Sequence, residues 1–144
     1  MATNENNIFL SVYGSCIRKE AVSDGVIYPG MLVDRAGAKV KASAKAEDAL
    51  KQILVADLDT VNAGAISSKY DDGAVVNFKA PLRGELVRLY VGASTTLAVG
   101  DEVASKGNGA VGAPASAGVG VIGIAMTAVT TSGGETGFVT VEII

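Results

Sequence analysis

The dipeptide Asn108-Gly109 constrains the fold of this chain more than any other feature. A two-residue type I′ hairpin turn needs φ > 0 at both central positions, and Asn followed by Gly is the pair that accepts this most readily. The pair lies in "LAVGDEVASKGNGAV", residues 97–111. There Leu97 and Val99 lead to a tight corner at Gly100-Asp101, Val103 follows, and the turn folds residues 102–105 back onto a strand near Val111.

The same punctuation recurs along the chain. Pro29-Gly30 is a turn pair between the β-prone residues 26–28 and "MLV", because Pro presets φ and Gly accepts positive φ. Asp72-Gly73 precedes a strand carrying Val75, Val76 and Phe78. "GELVRLYVG" alternates strictly, setting Leu86, Arg88 and Tyr90 on one face and Val87, Leu89 and Val91 on the other. "GVIGIAMTAV" and "GFVTVEII" are two further β-prone runs joined by "TTSGGET". Roughly eight to ten short strands at about ten-residue spacing predict an all-β fold, a small β-barrel or β-sandwich of short antiparallel strands. The one stretch of good helix formers, "SAKAEDALKQ" at 43–52, predicts a short helix or ordered loop, since about ten residues are marginal without packing. Residues 1–17 are expected to form an extended N-terminal arm, polar at first and then apolar and aromatic. Residues 18–144 are expected to form a single β-barrel or sandwich domain.

The glycines raise a second possibility. "GNGAVG" (107–112) and "GVGVIG" (118–123) both fit G-x-G-x-x-G. In a dinucleotide site that motif follows a strand and opens a helix whose N-terminus holds the pyrophosphate. Here the first run leads into "APASAG" and the second into "IAMTAVTTSGG", neither with helical spacing. The glycines are read as turn and strand residues, and no cofactor is expected.

Composition narrows the function further. The 144 residues include no His, no Trp and one Cys, so a Ser-His-Asp triad, a Cys-His pair and a disulfide within the chain are excluded. Cys16 reads as a small buried thiol. Asp71 and Asp72 could suggest a calcium loop, but such a loop needs six or more oxygens from several positions. They read as turn residues, as do Asp24 beside Gly25 and Asp101 after Gly100. The chain is therefore expected not to be an enzyme. A net charge of −3 and a pI of about 4.9 do not suit nucleic-acid phosphates. Mean hydropathy is +0.37, yet no apolar run is long enough to span a membrane, and "MATNENN" lacks the basic start of a signal peptide. A cytoplasm-like compartment of synthesis is expected. From residue 107 onward only Glu135 and Glu142 carry charge, which points to burial in the core or against another chain.

Several segments together resemble the small head decoration, or cement, proteins of tailed bacteriophages. They are "IYPGMLVDR" (27–35), "YDDGAVVNFKAPLRGE" (70–85), "LAVGDEVASKGNGAV" (97–111) and "GIAMTAVTTSGGETGFVTVEI" (123–143). The matching positions are Pro29, Gly30, Leu32 and Val33; Tyr70, Asp72, Gly73 and Val76; Leu97, Gly100, Asp101, Val103, Gly107 and Gly109; and Gly123, Ala125, Val139 and Val141. The resemblance covers the chain from about residue 27 onward.

It implies a non-catalytic virion protein on the outer capsid surface, made in the host bacterial cytoplasm. Such a protein bridges major capsid protein subunits and commonly forms a homotrimer, with neither nucleic acid nor membrane as a partner. Within the apolar part of the arm, Ile8, Phe9, Leu10 and Tyr13 are the candidate capsid-contacting residues, through an edge able to add to a partner strand. Pro29, Gly30, Asp72, Gly73, Gly100, Asp101, Asn108 and Gly109 are the structural turns. Two other classes remain open: a ligand- or glycan-binding β-barrel module, which would use some of the seven Tyr and Phe residues, and an accessory β-domain of an enzyme.

Overall fold

The computed structural model describes residues 7–11, 18–59, 62 and 64–144. The fold is all-β. Its strands are β1 (Phe9–Ser11), β2 (Arg18–Ser23), β3 (Val33–Ala36), β4 (Lys39–Ala42), β5 (Val55–Ala56), β6 (Val75–Lys79) and β7 (Leu86–Val91). They continue with β8 (Thr96–Leu97), β9 (Glu102–Gly107), β10 (Ala110–Gly112), β11 (Val121–Ala125), β12 (Val129–Thr130) and β13 (Gly137–Ile143).

Two curled sheets and a two-stranded β8–β12 ribbon build the described part of the molecule. In the first, β7, β10, β9, β11 and β13 neighbour one another in that order, and β13 pairs back onto β7, closing a five-stranded barrel. Strand β1 adds to the Leu86–Val87 end of β7, while β10 meets β7 only at Val91. The second sheet runs β3-β4-β2-β6-β5. It curls until the residues entering β3 meet β5. Val33 N–H donates to Leu54 O and Ala56 N–H to Met31 O, both at 2.9 Å, around a Leu32–Val55 bridge. Pairing is mostly antiparallel. The exceptions are β2 with β4 and β10 with β7, where intervening strands carry the chain across.

The wall where the second sheet closes on itself faces two cores. Successive side chains of a strand point to opposite faces. Along this wall Leu32 and Val55 enter the first core, with Val87, Leu89, Val103, Val139 and Val141. Met31, Val33, Leu54 and Ala56 enter the second, with Ile27, Val40, Tyr70, Val76 and Phe78. In β7 the alternation is complete: Val87, Leu89 and Val91 are buried, and Leu86, Arg88 and Tyr90 are only partly so.

The helix-forming stretch at 43–52 yields a single 3-10 turn, Glu47–Ala49. Its backbone is engaged elsewhere. Ala46 bridges Lys106 of β9, and Ser105 Oγ donates to Lys45 O at 2.6 Å. Glu47 has φ +47° and Leu50 is extended, so no helix propagates.

Part of the expected arm is also built into the body. Ile8 is fully buried and Phe9 nearly so, both in the first core, and Arg88 N–H donates to Ile8 O at 2.7 Å. Tyr13 and Cys16 lie outside the described residues, as do residues 1–6.

Candidate functional site

The Asn108-Gly109 pair closes the β9–β10 hairpin with φ of +53° and +75°. The tip of this hairpin also joins the two barrels. Leu32 N–H donates to Gly109 O at 2.9 Å, and Gly109 N–H donates to Ser43 O at 2.8 Å. A Cβ on residue 109 would come within 2.9 Å of the Met31 Cβ. A glycine is required there by both backbone conformation and contact.

The second glycine run has a different geometry. Gly123 lies within β11, between β9 and β13, and a Cβ there would collide with Glu142 O and Val141. The glycine permits close strand packing, and β11 leads into another β-turn segment instead of a helix.

The acidic turn residues are engaged by backbone. Asp72 Oδ1 accepts from Gly25 N–H at 2.8 Å and ties two turns together. Asp101 Oδ2 accepts from Ala98 N–H at 2.8 Å and closes its own turn beside Gly100, where φ is +94°. Gly30 (φ +85°) follows Pro29 in a turn closed by Met31 N–H donating to Tyr28 O at 3.1 Å.

The Pro29-Gly30 turn also places an aromatic group against the first barrel. Tyr28 stacks on Tyr90 at 5.7 Å between centroids, and Phe138 meets Tyr90 edge-on at 6.2 Å. Such pairs are worth about 0.5–1.5 kcal/mol beyond the area they bury. Beside Tyr90 a crevice of about 590 Å³ opens where the barrels meet, lined by Met31, Tyr90, Ser94, Lys106, Asn108 and Thr136 along with small residues.

Two turns shape this crevice. One is the β9–β10 hairpin. The other joins β7 to β8, where Ser94 has φ +55°. Thr131 pins it, its Oγ1 donating to Gly92 O at 2.7 Å and accepting from Thr95 N–H at 3.0 Å. Among the described residues the one cation lining the crevice, Lys106, is paired with Glu47 at 3.4 Å. Glu47 also accepts from Ala115 N–H at 2.7 Å. That bond, more than the Lys106 charge, holds the Glu47 carboxyl below its ordinary range. Neither Met31, Ser94 nor Thr136 was a candidate in the sequence. The one legible signal was Tyr90, an aromatic on the outward face of an alternating strand.

Of the four capsid-contact candidates, Ile8 and Phe9 face inward, so their apolar surface is already covered, while the Leu10 side chain and Tyr13 lie outside what is described. The reason is register: β1 pairs with β7 through Phe9–Val87 and Ser11–Leu86, and packing against the barrel buries more apolar surface than a free arm would. Exposed apolar side chains are scattered over both sheets and the turns beside them, among them Leu82, Val99, Met126 and Ile144. On the second sheet Val22 and Val75 are direct cross-strand partners, 39% and 56% exposed, and Val26, close to Val22 in sequence, is also exposed.

No protein-family model matches the sequence, and no curated protein matches it. Among solved structures, the crystal structure of the head fiber gp8.5 N base of bacteriophage phi29 is similar, with a TM-score of 0.58. Identity is 14%, over 90% of this chain and 95% of that one. At that identity the likeness is one of fold. A fold like this one is thus also found in a component of a bacteriophage head.

Proposed function

We propose that this chain is a structural protein of a tailed-phage head, seated on the outer capsid surface, where it stabilises the shell by bridging major capsid protein subunits. The observation that carries the reading is the fold shared with a phage head-fiber base over nine-tenths of the chain. It agrees with the resemblance to decoration proteins in the turn-and-strand segments from Pro29 to Val141.

The role asks for a rigid body and apolar contact surface, with no chemistry. The closed barrel and the curled second sheet packed against it supply the body. The exposed Val22, Val26 and Val75 supply a contact surface that the buried Ile8 and Phe9 do not. Attachment would be additive over the shell, with roughly 800 Å² per partner at each stable interface. A homotrimer fits the same reading, because self-association multiplies the contacts of each copy.

The test is to add the purified protein to undecorated heads and image them by electron microscopy. Ordered density on the outer surface, with improved resistance of the particles to heat, is the expected result. Val22→Lys with Val75→Glu should leave the fold intact, because both side chains are exposed and opposite charges suit cross-strand partners, and should abolish attachment. Wild-type protein that binds no capsid and stabilises none overturns the reading.

A further inference from the structure

The crevice beside Tyr90 has a composition that the capsid role does not use. Four of its polar groups are uncommitted: no described residue hydrogen-bonds the side chain of Ser94, Asn108 or Thr136, or the Tyr90 hydroxyl. The backbone beneath two of them is fixed, because Ser94 and Asn108 both sit in turns tied to their neighbours. Thr131 pins the first, and Leu32 and Ser43 clamp the second. A fixed backbone lowers the ordering that binding requires.

The chemistry points to one ligand class. Among the described residues Lys106 is the only cation lining the crevice, and it pairs with Glu47 at 3.4 Å. No carboxylate is among those lining residues. An anion would meet a cation already paired, and a cation would meet no negative charge. The groups that remain are an amide with two donors and an acceptor, three hydroxyls that both donate and accept, and an aromatic edge. The crevice lies where two barrels meet, a common position for small-molecule sites, and 590 Å³ is the size of such a site. From these observations we infer that the crevice between the barrels binds a neutral saccharide. Asn108, Ser94 and Thr136 would bond ring hydroxyls, and the Tyr90 edge would lie against the apolar C–H groups. The inference is independent of the capsid reading.

The test is an amide NMR titration of the ¹⁵N-labelled full chain. The probes are glucose, N-acetylglucosamine and their β-1,4-linked disaccharides, up to roughly 0.1 M, a range that captures millimolar dissociation constants. At least one sugar should give saturable shifts confined to the β7–β8 turn, the β9–β10 hairpin and Thr136. Asn108→Gly should weaken it by about tenfold. Glycine accepts the positive φ at 108, so this variant keeps the hairpin and separates lost binding from lost folding. The inference is overturned if no sugar gives saturable shifts. It is also overturned if inorganic phosphate moves the same amides instead, or if the shifts follow protein concentration alone, which would assign the crevice to a second copy of the chain.

Discussion

The Lys79 ammonium lies 4.7 Å from the centroid of the Phe9 ring. Lys79 belongs to the second sheet and Phe9 to the strand that joins the first barrel, so this contact links the two bodies. The same ammonium pairs with the Asp57 carboxylate at 2.9 Å, and both side chains are largely covered, at 22% and 16% exposure. Replacing the cation leaves Asp57 partly buried and unpaired. Lys79→Gln should therefore destabilise the protein by about 1–2 kcal/mol in urea unfolding, with Phe9→Leu coupled to it in a double-mutant cycle. A change within a few tenths of a kcal/mol, or strict additivity, would show that the contact carries no energy.

Ile8 gives a sharper test of where the segment before residue 12 belongs. It is fully buried in the first core. Ile8→Ala should cost about 2–4 kcal/mol, and Ile8→Asp should prevent stable folding, because it places a charge in that core. Thermal melts check both. If Ile8→Asp melts like wild type, the segment is not part of the body.

At the hairpin tip the two central residues should respond in opposite ways. Asn108→Gly is expected within about 1 kcal/mol of wild type, since glycine adopts the same φ at an entropic cost. Gly109→Val combines a β-branched residue at φ +75° with a collision against Met31, and should cost about 3 kcal/mol or more. Equal effects of the two in denaturant titration would contradict the geometry.

Glu47 makes a prediction about pH. Its folded carboxyl titrates below the ordinary 4.5, chiefly through the Ala115 N–H bond. A depressed folded value means the latch on the 113–120 loop is present above the unfolded pKa. It is lost as pH falls through the folded one. The Ala115 amide shift should titrate with a midpoint below 4.5, and Glu47→Gln should remove that transition. A midpoint at or above 4.5 would rule the latch out.

Local chemistry wrote much of this fold into the sequence. The Asn108-Gly109 turn depends on the φ preferences of two adjacent residues, and the β7 alternation depends only on the period of a strand. Both read directly from residue order, as did the all-β class. The resemblance to phage head proteins rested on the same turn and strand elements, and the shared fold agrees with it at that coarse level. What tertiary structure alone decided is where each element's surface goes. Residues 43–52 have helical propensity, but β9 claims the backbone of Lys45 and Ala46, and an interaction with a strand some sixty residues away is invisible locally. Ile8 and Phe9 look the same in sequence whether they anchor a partner or fill a barrel, because apolar character does not name the surface that will cover it. The alternate sides of residues 31–33 and 54–56 serve two different cores because the second sheet curls back on itself, and the crevice exists because two distant turns meet beside Tyr90. Burial and convergence are properties of the closed chain, and no window of sequence contains them.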